Sequence, residues 1–110
     1  MIRIDHLGLA CADVEAAAAF YADVFAAAIE RAPGHPVLVV AGALRLALTP
    51  RGPDELAACA RGEHLALDVS PDELKRIAAR LEARGAPTEA VRGRLYFADP
   101  DGAVIELIEG

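Results

Sequence analysis

Three observations predict an α+β fold for this 110-residue chain, built from two copies of a βαβββ module. The segment His6-Leu7-Gly8-Leu9-Ala10-Cys11 has a counterpart 58 residues on, His64-Leu65-Ala66-Leu67-Asp68-Val69. Each counterpart leads into an acidic helix start and an amphipathic stretch. After each helix come alternating apolar runs joined by a glycine-containing turn, the mark of antiparallel strands. The chain therefore reads as a single domain over 1–110, with module one at 1–50 and module two at 60–110.

Each element has its own justification. In the first strand Leu7 and Leu9 share one face, and His6, Gly8 and Ala10 the other. Asp13 opens the first helix, whose apolar stripe runs through Val14, Ala17, Phe20, Tyr21, Val24 and Phe25. Pro36 to Val40 and Leu44 to Leu48 then read as strands around Ala41-Gly42. Thr49 to Arg61 is a linker by its Pro50, Gly52 and Pro53, with a short helix expected at Asp54 to Cys59. In the second module Leu65 and Leu67 oppose His64, Ala66 and Asp68. Ser70 is an N-cap, Pro71 takes the first helical position and Glu73 completes a capping box. Leu74, Ile77, Ala78 and Leu81 form that helix's apolar face, and Arg84-Gly85 ends it. Arg92 to Phe97 and Val104 to Ile108 are strands around the turn Asp99-Pro100-Asp101-Gly102. The leucine faces should pack on the helices, which leaves the histidine faces, lined by small residues, for a ligand.

Composition narrows the function classes. Hydrophobic residues are 55% of the chain, enough for a true core. The formal charge is −6, which disfavours nucleic acid and anionic membrane surfaces as partners. Two cysteines without a C-x-x-C pair exclude a disulfide framework and a structural zinc site. Cys11 falls on the leucine face and Cys59 on the linker, so neither reads as a nucleophile. With no apolar run long enough to span a bilayer and no signal-peptide pattern, the expected location is the cytoplasm.

The chemistry-bearing residues are His6, His64 and Glu106. Taken singly, a histidine at a strand start is most often solvated, and a glutamate in a last strand most often sits on an exposed edge. Here two histidines hold equivalent positions of a repeat, and Glu106 interrupts Val104-Ile105-Leu107-Ile108, where an unpaired carboxylate would be costly. A metal ion or a charged histidine would compensate it. Two imidazoles and a carboxylate suit a divalent Fe, Mn, Zn, Ni or Co ion with positions left for substrate. Arg92, Arg94 and Tyr96 alternate onto one face of the strand before the turn. With Arg45 from the equivalent strand, they form a candidate grip on an anionic oxygen substrate. His35, in a Pro-Gly-His-Pro loop, is expected in solvent.

Four segments make the chain resemble the vicinal oxygen chelate superfamily, which holds glyoxalase I, fosfomycin- and bleomycin-resistance proteins and extradiol dioxygenases. They are Ile4 to Ala10, Ala19 to Phe25, His64 to Val69 and Tyr96 to Leu107. The resemblance implies paired modules forming a cup-shaped curved sheet with helices on its outer face, usually assembled as a homodimer. It also implies metal ligands at His6, His64 and Glu106, with Arg94 and Tyr96 lining the cup. Ala47 stands where glyoxalase-like members carry a further ligand or base, which leaves three ligands and weakens a glyoxalase I assignment. Glu106 and Tyr96 are then the catalytic candidates, and Arg94, Arg45 and Ala47 the substrate-binding ones. The reading is a metal-dependent lyase or transferase that activates a small oxygen-chelating molecule by Lewis-acid catalysis. The alternative is a metal-free binding protein for a bleomycin-type drug, with Gly8, Ala10, Ala47 and Ala66 making room.

Overall fold

A computed structural model describes residues 4–50, 64–91 and 93–109, with His64 by its backbone alone. The chain divides into two compact units, Met1–Glu55 and Leu56–Gly110.

In the first unit, strand β1 (Leu7–Cys11) leads into helix α1 (Val14–Val24), followed by β2 (Ala28–Glu30), β3 (Val37–Ala41) and β4 (Leu44–Pro50). The sheet order is β1-β4-β3-β2, with β1 and β4 parallel and the other pairs antiparallel. Leu7 pairs with Leu46 and Leu9 with Leu48, so the apolar positions of both strands fall on the face that α1 covers. Leu46, Leu48, Val39 and Cys11 are buried there, under Ala17, Ala18, Phe20, Tyr21 and Val24 of the helix. The Phe20 and Tyr21 rings meet edge to face at 5.4 Å. Asp13 caps α1 as expected, its carboxylate accepting from the Ala16 N–H at 3.0 Å.

The second unit repeats the order: β5 (His64–Val69), α2 (Pro71–Ala83), β6 (Thr88–Val91), β7 (Arg94–Ala98) and β8 (Val104–Glu109), with sheet order β5-β8-β7-β6. β5 and β8 are parallel, as β1 and β4 are. The capping box forms in full, Ser70 Oγ accepting from the Glu73 N–H while the Glu73 carboxylate accepts from the Ser70 N–H. Ile77 and Leu81 are the buried residues of α2, and Ile105, Leu107 and Phe97 those of the sheet.

Two four-stranded mixed sheets, each with a helix, confirm the two-module α+β reading. Three details differ from it. β2 and β6 are the strands of each βαβββ module that the sequence does not locate, being three and four residues long with little alternation to betray them. The first strand of each module closes its sheet by parallel pairing with the last. Finally, Thr49 and Pro50 belong to β4, paired with Ala10 and Cys11, so the linker begins later than Thr49. The short helix expected at 54–59, with Cys59, lies outside the described residues, as does Arg92.

Candidate functional site

Glu106 sits in the middle of β8, and the strand's alternation sorts its neighbours. Ile105 and Leu107 point to the helix side and are fully buried, which puts Glu106 on the opposite face. It is nevertheless only 2% exposed. In register it lies between Ala66 of β5 and Tyr96 of β7. The Tyr96 hydroxyl donates to Glu106 Oε1 at 2.6 Å, and Arg94 Nη1 donates to the same oxygen at 2.9 Å. Both are charge-assisted bonds, the stronger kind. The bond to Glu106 raises the Tyr96 pKa, because the phenol that loses its proton loses that bond and faces an anion. Bonding to Glu106 likewise raises the already high Arg94 value. The buried acid was expected to have positive charge or a donor beside it, and among the described residues it has both. A guanidinium and a phenol on the neighbouring strand supply them, and they are the two polar side chains that the alternation of β7 places on that face.

The hairpin is held in this register by its turn. Asp99 is buried, and its Oδ1 accepts from the N–H groups of Asp101 and Ala103, both at 2.8 Å. Gly102 takes φ +86°, a conformation that disfavours any side chain. A slip of one residue would turn Glu106 to the helix side, so the turn chemistry fixes where the acid points.

In the first unit, His6, Glu30, Arg31, Ala32, His35, Pro36, Leu38, Arg45 and Ala47 line an open cleft of about 380 Å³. That is at the small end of the roughly 300–1,000 Å³ of ligand pockets. A Cβ built on Gly8 meets nothing within 4 Å, so the face beside the cleft is open. His6 Nδ1 donates to Asp5 Oδ2 at 2.8 Å. A carboxylate can only accept, so the proton sits on Nδ1, and in the neutral ring Nε2 carries the lone pair. This hydrogen bond, helped by Arg45, holds the Asp5 carboxyl below its ordinary range. At the cleft's rim Arg31 grips both oxygens of Glu15, at 2.7 and 2.9 Å, tying the strand end to the first turn of α1.

His6, Arg45 and Ala47, expected as ligand and substrate-binding positions, share this cleft. Glu106, Tyr96 and Arg94 meet around one carboxylate oxygen in the second unit. His64 holds the register position opposite Val104, two residues along from Glu106, and its side chain lies outside the described residues. Among the described residues no three His, Cys, Asp or Glu side chains converge on one point. His35 is exposed, as expected, yet it lines the cleft. Glu30 and Leu38 were not singled out. Leu38 was findable, since it pairs with Ala47 as Tyr96 pairs with Glu106.

Residues 3–107 match the Glyoxalase/Bleomycin resistance protein/Dioxygenase superfamily. The chain belongs to that superfamily. Among solved structures with the same fold are the genomically encoded fosfomycin resistance protein FosX from Listeria monocytogenes and the oxidase ChaP-H2. FosX has a TM-score of 0.82 and 21% identity over 100% of this chain and 94% of that one. ChaP-H2 has a TM-score of 0.81 and 22% identity over 99% and 94%. Lactoylglutathione lyase from Agrobacterium tumefaciens follows at 0.72, with 26% identity over 98% and 93%. No curated protein sequence matches the chain. Within the superfamily the fold is therefore secure, while the reaction has to be argued from the residues.

Proposed function

We propose that the chain is a divalent-metal-dependent enzyme of the glyoxalase and fosfomycin-resistance type, acting on a small anionic, oxygen-chelating substrate by lyase chemistry or by addition of water or a thiol. The observation that carries this reading is Glu106, an acid 2% exposed in an apolar strand, whose position lies two strand residues from that of His64 on the paired strand. His6, His64 and Glu106 would hold Mn, Fe, Zn, Ni or Co. The donor types fit, since imidazole nitrogen with one carboxylate suits these borderline cations. The Asp5–His6 hydrogen bond fits as well, because it fixes the tautomer that leaves Nε2 as the donor atom. A listerial FosX structure carrying Mn(II) and 1S,2S-dihydroxypropylphosphonic acid supports the reading by its fold.

When bound, the ion supplies Lewis-acid stabilisation of negative charge on substrate oxygens. The remaining roles fall to the chain's own side chains. Arg45 and Arg94 offer forked donors to an anionic group. Tyr96 keeps its hydroxyl proton well above neutral pH and so acts as a hydrogen-bond donor and acid. Ala47 supplies space in the cleft where a larger side chain would fill it.

Elemental analysis of native protein beside His64→Ala and Glu106→Gln tests the proposal. We expect one divalent ion per chain in the native protein and loss of it in both variants. No metal in the native protein, even after reconstitution, would overturn it in favour of the metal-free drug-binding reading, for which the Arg94–Glu106 pair already neutralises the acid.

A further inference from the structure

We propose that Arg94 is a resident counter-ion of Glu106 that an incoming divalent cation displaces, so that loading the metal frees the guanidinium for the substrate. This rests on the metal-dependent reading above. Glu106 is a buried carboxylate, with 3% of its side chain exposed, and an ionised group so placed needs positive charge beside it. Arg94 supplies that charge at 2.9 Å, on the same oxygen that accepts from Tyr96. The two donors differ in what they ask of a cation. The Tyr96 hydroxyl is neutral and can stay to orient the carboxylate. The guanidinium carries a full charge, and bonded at 2.9 Å to the buried carboxylate it repels a dication brought to the same oxygens.

Arg94 is also built to leave. It is the first residue of β7, and its side chain is 51% exposed, so the head can rotate into water without disturbing the ladder. Once released, it presents five donors in a planar fork on the face where substrate is proposed to lie. The arrangement makes substrate affinity depend on metal loading through one side chain.

Mn(II) titrated calorimetrically into the chelator-stripped full chain provides the test, using wild type, Arg94→Gln and Arg94→Lys, with thermal melts of the same metal-free samples. Arg94→Gln should bind Mn(II) about ten-fold more tightly, the scale of one screened charge–charge term, while melting below wild type without metal. Arg94→Lys, which keeps the charge, should stay near wild type in both. A merely structural role for Arg94 cannot tighten metal binding. Equal or weaker binding by Arg94→Gln, with wild-type binding intact, overturns the counter-ion role and leaves the metal reading standing. Absence of Mn(II) binding in every variant overturns both. On the wild type itself, Zn(II) should move the Arg94 guanidinium NMR signal from slow to fast solvent exchange, and an unmoved signal in zinc-loaded protein refutes displacement even if Arg94→Gln does not fold.

Discussion

The two modules share one topology and differ at the positions that matter most. Ala47 and Glu106 are equivalent, each flanked by the parallel first strand of its module and the preceding antiparallel strand. In the first module the cross-strand partner of Ala47 is Leu38, and in the second that of Glu106 is Tyr96. Strand pairing thus brings an apolar pair together in one copy and an acid with its donor in the other. The helices differ too. α1 packs on three strands and buries five residues, two of them aromatic, whereas α2 buries Ile77 and Leu81 and relies on its capping box. One copy of the fold is specialised towards core packing, the other towards holding a charge.

The sharpest way to break the contrast is to put an acid where the first module has none. Ala47→Glu places a carboxylate at a 5% exposed position opposite Leu38, and should destabilise the chain by about 3 kcal/mol in urea unfolding. Adding Leu38→Tyr should recover about 1 kcal/mol by supplying a donor. If Ala47→Glu alone is neutral, the donors around Glu106 are not what makes its burial tolerable.

A smaller effect tests the helix ends. Just past the cap of α2 stands Gly85, with φ +68°, whereas the same place after α1 is held by Ala26, with φ +51° in the same left-handed region. That conformation costs a side-chain-bearing residue about 1 kcal/mol. Ala26→Gly should therefore stabilise the chain by about that much, and Gly85→Ala should destabilise it by about as much. A Cβ on Gly85 meets nothing within 4 Å, so any loss there is purely conformational. Chemical denaturation of both variants decides it, and like-signed changes would contradict the account.

The smallest effect is linked to pH. Hydrogen bonds from the Ser70 backbone and hydroxyl lower the Glu73 pKa below its ordinary 4.5, and α1 has no such box. A carboxylate lowered in the folded state contributes stability that is present above the unfolded value and is lost as pH falls through the folded one. The stability gap between wild type and Glu73→Gln should be complete at pH 7 and close progressively below about pH 4.5. A gap independent of pH would assign the effect to something other than the charged box.

What was legible in the sequence was local or repeated. The His6 and His64 segments, the Ser70–Glu73 box and the Asp99–Gly102 turn each carry their signal within a few residues, and each forms as read. Alternation alone puts Arg94 and Tyr96 on one face of their strand and Glu106 opposite Ile105 and Leu107, and the family resemblance is what puts the three in one cup. The Arg94–Glu106 bond itself joins residues 12 apart and depends on hairpin register, and no local pattern states which donor reaches which oxygen. β2 was invisible for its brevity, and with it the Glu30 and Arg31 wall of the cleft. The left-handed Ala26 is invisible for another reason, since that conformation favours glycine and asparagine and nothing about an alanine marks it.

The Asp99 turn has a consequence for the order of folding. Tyr96 and Glu106 are joined across a hairpin ten residues long, while β5 reaches β8 only by closing a stretch of forty residues from Leu65 to Ile105. Closing the shorter loop costs less chain entropy. The acid and its two donors should therefore come together first, and the strand bearing His64 should dock onto a hairpin that already holds them. Pulsed hydrogen exchange should find the β7–β8 amides protected before those of β5, and the reverse order would exclude it. On this account the nascent chain neutralises Glu106 before the rest of the sheet closes over it, and does not bury that charge bare on the way to the native state.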